Sequence, residues 1–245
     1  MSRGGIILDG DGGLAGNLWL GMMVGLGAPV EVGEKLPALL GLDSAVVSFD
    51  VVQRGDVAAV RVDISGTEQT SEMSLIGMLE TIQALRAPVE VRTSAQAVLL
   101  ARQSAEAVTA GIDLSRCRYA GDDVADTLID VVGGVWLWRS LGAPRVFVEG
   151  PLAVGCSPPP AVAALLGDQA TNRTAAAAGE LTTPTGAALL QYCRTSHRPR
   201  GAAIAEVRVD AVFSDRGLVP PLRARLVLGV GDDEDLADTG LYQRR

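Results

Sequence analysis

The stretch Ile6-Ile7-Leu8-Asp9-Gly10-Asp11-Gly12-Gly13-Leu14-Ala15-Gly16-Asn17-Leu18 decides the reading of this chain. It opens with an apolar run stopped by an acid, which suits a buried strand. A glycine-rich turn covers Gly10–Gly16, and apolar residues at helical spacing then run over Leu14–Leu26. Strand, turn and helix in that order are the first step of an α/β fold.

The rest of the chain continues the pattern. Gly27-Ala28-Pro29 ends the first helix, and a second is expected over Glu31–Leu40. Two β-branched runs, Ala45–Gln53 and Val57–Ser65, meet through Arg54-Gly55-Asp56, a hairpin signal. Helices are expected over Ser71–Leu85 and Thr93–Ala110, with a strand-like piece at Pro88–Val91 between them. Asp122–Leu141 is the clearest long helix, with Asp123, Asp126 and Asp130 in its first turns, where acids suit the helix dipole. A strand over Arg145–Glu149 and short helices over Pro158–Leu166 and Pro184–Cys193 follow. Ala203–Ser214 and Leu222–Val230 read as paired strands.

The expected class is therefore α/β: a mixed β-sheet flanked by helices, with a C-terminal β-hairpin. Residues 1–231 read as one α/β domain, with a break into two closely packed subdomains near 111–121 as the alternative. Residues 232–245 read as an acidic, flexible tail.

Composition narrows the function. Of 245 residues, 48% are apolar and 20% charged, which is globular. The net charge of −8 and the scattered arginines argue against nucleic acid as a partner. No charge-free apolar run of about 20 residues occurs, so no membrane span is expected. The start does not read as a secretory signal, and a cytoplasmic location is expected. Cys117, Cys156 and Cys193 are far apart and form no Cys-x-x-Cys, so they read as reduced thiols. Trp136 and Trp138 lie two apart on one helix and face different sides, which leaves a homo-oligomer open.

Three segments resemble the proteins that insert nickel into the pincer cofactor of lactate racemase. Leu8–Leu18 resembles the family's Asp-Cys-Phe-Ser-Gly-Ile-Ser-Gly-Asp-Met opening. Asp126-Thr127-Leu128-Ile129-Asp130-Val131-Val132-Gly133 is similar to its Asp-x-Ile-Val-Asp-Ile-Val-Gly. Glu180-Leu181-Thr182-Thr183-Pro184-Thr185-Gly186-Ala187-Ala188 is close to its Glu-Leu-x-Thr-Pro-Thr-Gly-Ala-Ala. Arg54-Gly55 and Gly150-Pro151-Leu152 are weaker matches. The resemblance covers the N-terminal half of a full-length member; the half in which the family binds CTP has no counterpart here.

The departures share one chemical character. Arg118-Tyr119-Ala120-Gly121 stands at the family's His-Phe-His-Glu. The loop carrying its Cys-Ala-His-Gly looks deleted at Gly155-Cys156-Ser157. Glu68-Gln69-Thr70-Ser71-Glu72 replaces its histidine-rich stretch, and Asn17 stands at an Asp. Nickel(II) favours imidazole and thiolate, and His197 is the single histidine. The expectation is that nickel is not held by this chain alone.

The candidate site residues follow from motif and chemistry together. Asp9 and Asp11 end the first strand, where ligands gather in open α/β sheets, and two carboxylates there could hold Mg²⁺. A turn capped by Asp explains them equally well. Asp123, Asp126 and Asp130 share one helical stripe; solvated acids at a helix start explain it, but Asp130 sits among Ile129, Val131 and Val132, as a buried or pocket-lining acid would. Thr183 and Pro184 make a good helix start, which explains Thr182, Thr183 and Thr185 structurally; the same geometry can present amides and hydroxyls to a ligand. Glu180 just upstream could act as a base. The expected catalytic set is Asp9, Asp11, Asp126, Asp130 and Glu180, and the expected substrate-binding set is Asn17, Tyr119, Thr182, Thr183 and Thr185. No protein metal ligand and no resident cofactor is expected beyond the Mg²⁺ option.

The leading expectation is a metal-independent biosynthetic enzyme, a cyclase or isomerase using acid–base chemistry on a small molecule. One alternative is a nickel-insertion subunit working with a separate CTP-binding chain. Another is a non-catalytic binding or scaffold protein.

Overall fold

The computed structural model describes residues 4–68, 70–173, 180–210 and 220–228. The expected tail at 232–245 lies outside them, as do residues 211–214 and 229–230 of the two expected C-terminal strands.

In chain order the elements are β1 (Gly5–Asp9), α1 (Gly16–Gly25), α2 (Val30–Leu39), β2 (Val46–Arg54), β3 (Val57–Ser65), β4 (Met73–Ser74), α3 (Leu75–Ala84), α4 (Val89–Ala110), β5 (Arg118–Tyr119), α5 (Gly121–Ser140), β6 (Arg145–Glu149), β7 (Leu152–Ala153), α6 (Pro160–Leu166), β8 (Thr171–Asn172), α7 (Pro184–Cys193), β9 (Ala202–Asp210) and β10 (Leu222–Leu228). Six strands form one mixed sheet in the order β2-β3-β9-β10-β1-β6. The pairs β1/β6 and β3/β9 are parallel; β2/β3, β9/β10 and β1/β10 are antiparallel. The expected α/β class, mixed sheet and C-terminal hairpin are all present.

The sheet has a helix-covered face. Leu8, Ala224 and Val207 are in register across β1, β10 and β9, and Gly25 of α1 packs directly on Val207. Gly21 of α1 packs on Val209 and Val62, and Gly33 of α2 on Phe49. α5 lies on α1 and α2, and α4 runs behind it against α3, α6 and α7. This order of layers buries α5 on most sides: Val124, Ala125, Leu128, Ile129, Val131 and Val132 are all within 1% of full burial. Trp138 is buried too, its Nε1 donating to the Pro144 carbonyl at 2.8 Å.

Residues on the other face alternate with these. Asp9, Glu149, Arg223 and Arg208 are in register there. Arg225 and Arg198 both pair with Glu149, at 2.7 and 2.8 Å. The hairpin β2–β3 joins the rest of the sheet at two register pairs, Val60 with Val209 and Arg61 with Asp210. The second is an ion pair at 2.6 Å with the Asp210 carboxylate buried.

One expected element is wrong. Pro88–Val91 is not a strand but the start of α4. Pro88 precedes the first turn, where its missing N–H costs nothing, and Glu90 complements the dipole. Arg92 Nη1 ties back to the Ala87 carbonyl at 2.6 Å and so fixes the entry. The helix expected from Ser71 starts later, at Leu75, because Ser74 is its cap and accepts from the Gly77 amide. The two-residue strands β4, β5, β7 and β8 are too short to leave a periodic signal.

Candidate functional site

The site grows from a clip between the glycine turn and the start of α7. The Leu14 amide donates to the Leu181 carbonyl at 2.9 Å and to Thr182 Oγ1 at 3.1 Å. The Thr183 amide donates back to the Leu14 carbonyl at 3.0 Å. The buried Thr182 hydroxyl donates to the Ala153 carbonyl at 2.7 Å, so it ties β7 in as well. Gly186 closes the clip: a Cβ there would run into the Leu14 carbonyl. The Thr182 hydroxyl thus has a backbone partner on each side.

The clip sets two helix starts side by side. α7 is capped from its own sequence. Thr183 Oγ1 accepts from the Gly186 amide at 3.2 Å, and Pro184 occupies the first helical position. α1 begins after Ala15, which has no side chain that can cap it. Asn17 Oδ1 turns to the neighbouring Leu18 amide at 2.9 Å.

Against the open start of α1 lies Asp130 of α5. Its carboxyl group packs on the Cα of Gly16, and any Cβ at residue 16 would overlap it. Its Oδ1 is enclosed and has no hydrogen-bond partner. The residue as a whole is only half-buried. Desolvation, then the neighbouring Asp126 carboxylate, pushes the Asp130 pKa up to about 8; Arg102 acts in the opposite direction. Asp126 is solvent-accessible but crowded by protein. Partial desolvation and the Asp122, Asp123 and Glu68 carboxylates raise it to about 6.

Arg102 of α4 completes the cluster. Its Nε donates to Thr185 Oγ1 at 3.1 Å, its Nη1 to Tyr119 Oη at 2.8 Å, and its Nη2 pairs with Glu106 at 3.1 Å. The guanidinium also stands over the Tyr119 ring, 5.1 Å from its centre. Burial drives the Tyr119 phenol up to about 12, so it stays a neutral hydroxyl. Burial likewise raises Glu106, with Arg102 opposing.

The structure therefore brings together Asn17, Tyr119, Asp126, Asp130, Thr183 and Thr185. It does not bring Asp9, Asp11 or Glu180 to them. Asp9 points to the face away from α1, and its Oδ1 caps its own turn by accepting from the Asp11 amide at 3.1 Å. Asp11 is exposed. Glu180 is exposed and bridged to Gly155, and partial burial raises its pKa. Among the described residues no group of three His, Cys, Asp or Glu could hold a metal ion. Cys117 and Cys193 are buried and Cys156 is exposed, all as free thiols.

Sequence reasoning does not single out Arg102, although a signal was available. Ala95, Val98 and Leu99 are fully buried, and Arg102 and Glu106 continue their stripe with charge. A cation and an acid on the core side of a helix need partners, and those partners are the site.

The comparison with known proteins decides the family. The chain matches the nickel insertion proteins over residues 6–218. It belongs to the nickel insertion protein family. It is 31% identical over 238 residues to a pyridinium-3,5-bisthiocarboxylic acid mononucleotide nickel insertion protein of Nocardioides sp., covering 92% of this chain and 60% of that one. It is 27% identical over 252 residues to the protein of that name from Desulfitobacterium hafniense, covering 96% and 61%. A putative nickel insertion protein of Methanothermobacter thermautotrophicus is 32% identical over 205 residues, covering 76% and 49%. The chain thus spans between half and three fifths of the length of these relatives. No solved structure matches it. Among the described residues no helix is long and apolar enough to cross a membrane.

This membership overturns the expected metal-independent cyclase or isomerase. Loss of histidines from one chain is not loss of membership in a metal-handling family. The relatives named for nickel insertion align across nearly the whole chain in spite of that loss, so the alternative is the better reading.

Proposed function

We propose that this chain serves nickel insertion into a pyridinium-3,5-bisthiocarboxylic acid mononucleotide, as the subunit that holds the organic partner. The observation that carries this is the family match over residues 6–218. Nickel is the cargo in this reading. Two thiocarboxylates on the organic partner supply the soft donors that nickel favours. A second chain supplies the CTP site that the resemblance implies, together with further nickel ligands. The role left to this chain is to orient the ligand, through the open start of α1, Asp130, and the Arg102–Tyr119–Thr185 hub.

The test is a reconstitution with the mononucleotide, Ni²⁺ and CTP, with and without the complementing chain, read by mass spectrometry. Nickelated mononucleotide is expected only when both chains are present. If none forms in either mixture, the reading fails.

A further inference from the structure

α4 is a 22-residue helix that turns its charges inward. Arg92, Arg102 and Glu106 are half-buried and tied to the protein. Arg92 donates to the Leu85 and Ala87 carbonyls, and Arg102 joins Glu106 to Tyr119 and Thr185. The outer side is bare of charge. Thr93, Ala97, Leu100, Ser104 and Val108 are exposed there, and no exposed residue from Val91 to Ala110 is charged. Their spacing of three and four residues puts them on one stripe. Val89, 57% exposed, and Ile112, 49% exposed, extend it at the two ends. A surface helix ordinarily turns charge to water and apolar residues to the core, so this exposed, uncharged stripe suits a packed face. We propose that the stripe is the two-fold interface of a homodimer, in which α4 lies against the antiparallel α4 of a second copy of this chain.

The stripe is complementary to itself, as a two-fold interface must be. With Leu100 facing the partner's Ala101, Thr93 faces the partner's Val108, Ala97 the partner's Ser104, and Val89 the partner's Ile112. Leu100 then enters the hollow between the partner's Ala97, Ala101 and Ser104, a large residue against small ones. Charge fits as well. Each copy carries a net charge of −8, and an uncharged seam lets two such copies approach without opposing like charges. Glu90, at the edge of the stripe, falls opposite the partner's Gly111. Arg86 precedes α4 and Asp113 follows it; both are exposed, and neither enters an ion pair among the described residues. The same register lays Asp113 beside the partner's Pro88, near the partner's Arg86 and the positive start of that α4. Asp113 is held below the usual carboxylate range by the Ser115 hydroxyl and amide, so it carries its charge. By symmetry this contact occurs twice. The pairing does not depend on the nickel-insertion reading.

Sedimentation of the full chain tests it, at concentrations from about 1 to about 200 µM. A monomer–dimer equilibrium is expected. Leu100→Glu should leave only monomer at every concentration while its circular dichroism and melt stay native. If that variant fails to fold, Ala97→Arg, a change at an exposed position, decides by the same readout. Arg86→Glu should weaken the dimer about threefold or more, and adding Asp113→Lys should restore it to within about twofold of the parent. A parent chain that stays monomeric throughout overturns the proposal. So does a dimer that survives both Leu100→Glu and Ala97→Arg, because its interface then lies elsewhere. A double charge variant that dimerises no better than Arg86→Glu overturns the antiparallel register. If the parent is monomeric alone but forms a complex with the complementing chain that Leu100→Glu abolishes, the stripe belongs to that chain and the homodimer is overturned.

Discussion

The starts of α1 and α7 lie against each other, yet one is closed and the other open. α7 carries its own cap, its own first-turn proline and a glycine that fits the neighbouring backbone. α1 starts on alanine and meets the carboxyl group of a different helix. The closed end is built from four consecutive residues and serves as scaffold. The open end is built from residues more than a hundred positions apart, and that is where binding chemistry can be placed.

Three changes sharpen that contrast. The largest effect is expected at Asp130. In the folded chain its carboxyl binds a proton more tightly than in the unfolded chain, whose value lies near 3.8. Folded molecules therefore carry the extra proton between about pH 4 and pH 8, and stability falls as pH rises through that window. Asp130→Asn removes this slope. Denaturant unfolding at pH 5 and pH 8.5 should show the variant gaining on the parent by on the order of a few kcal/mol at the higher pH. An unchanged pH slope would mean that the open end does not hold a neutral acid.

Gly16→Ala should come next. The added methyl displaces the Asp130 side chain and costs about 1–3 kcal/mol, visible as a lower melting temperature at pH 6. Combining it with Asp130→Ala should recover part of the loss, because the two most closely overlapped atoms, the carboxyl Oδ2 and its carbon, are then gone while the Cβ stays. The smallest effect belongs to the closed end. Thr183→Ala should cost about 1 kcal/mol through the lost cap, with Thr183→Ser close to the parent. If Thr183→Ala left the melt unchanged, the scaffold role assigned to α7 would be wrong.

Legibility in the sequence followed the same division. The bounds of α7 were readable to the residue because Thr183 and Pro184 signal locally. β1 and the β2–β3 hairpin were readable from apolar runs and turn residues for the same reason. Asp130 was readable as a buried or pocket-lining acid from its flanking Ile129 and Val131, and it is half-buried. Its contact with Gly16 was not, because nothing in either segment names the other. Arg102 was missed because a lone arginine in a helix usually faces water. The separation of Asp9 from Asp130 was not legible, because strand alternation, which turns Asp9 to the far face, depends on which face the helices take. The function was misread for a different reason: missing ligands in one chain do not say whether a second chain brings them.

The strand order also bears on how the chain is made. β1 with β6 and β2 with β3 are two half-sheets, and β9 and β10 alone join them. On the ribosome both halves emerge well before their link, each with an edge still open. For that interval the nascent chain exposes unpaired strand edges of the kind that recruit other chains. The late hairpin is thus the keystone of assembly, and the pairing of residue 5 with residue 227 makes the final closure a long-range, slow event.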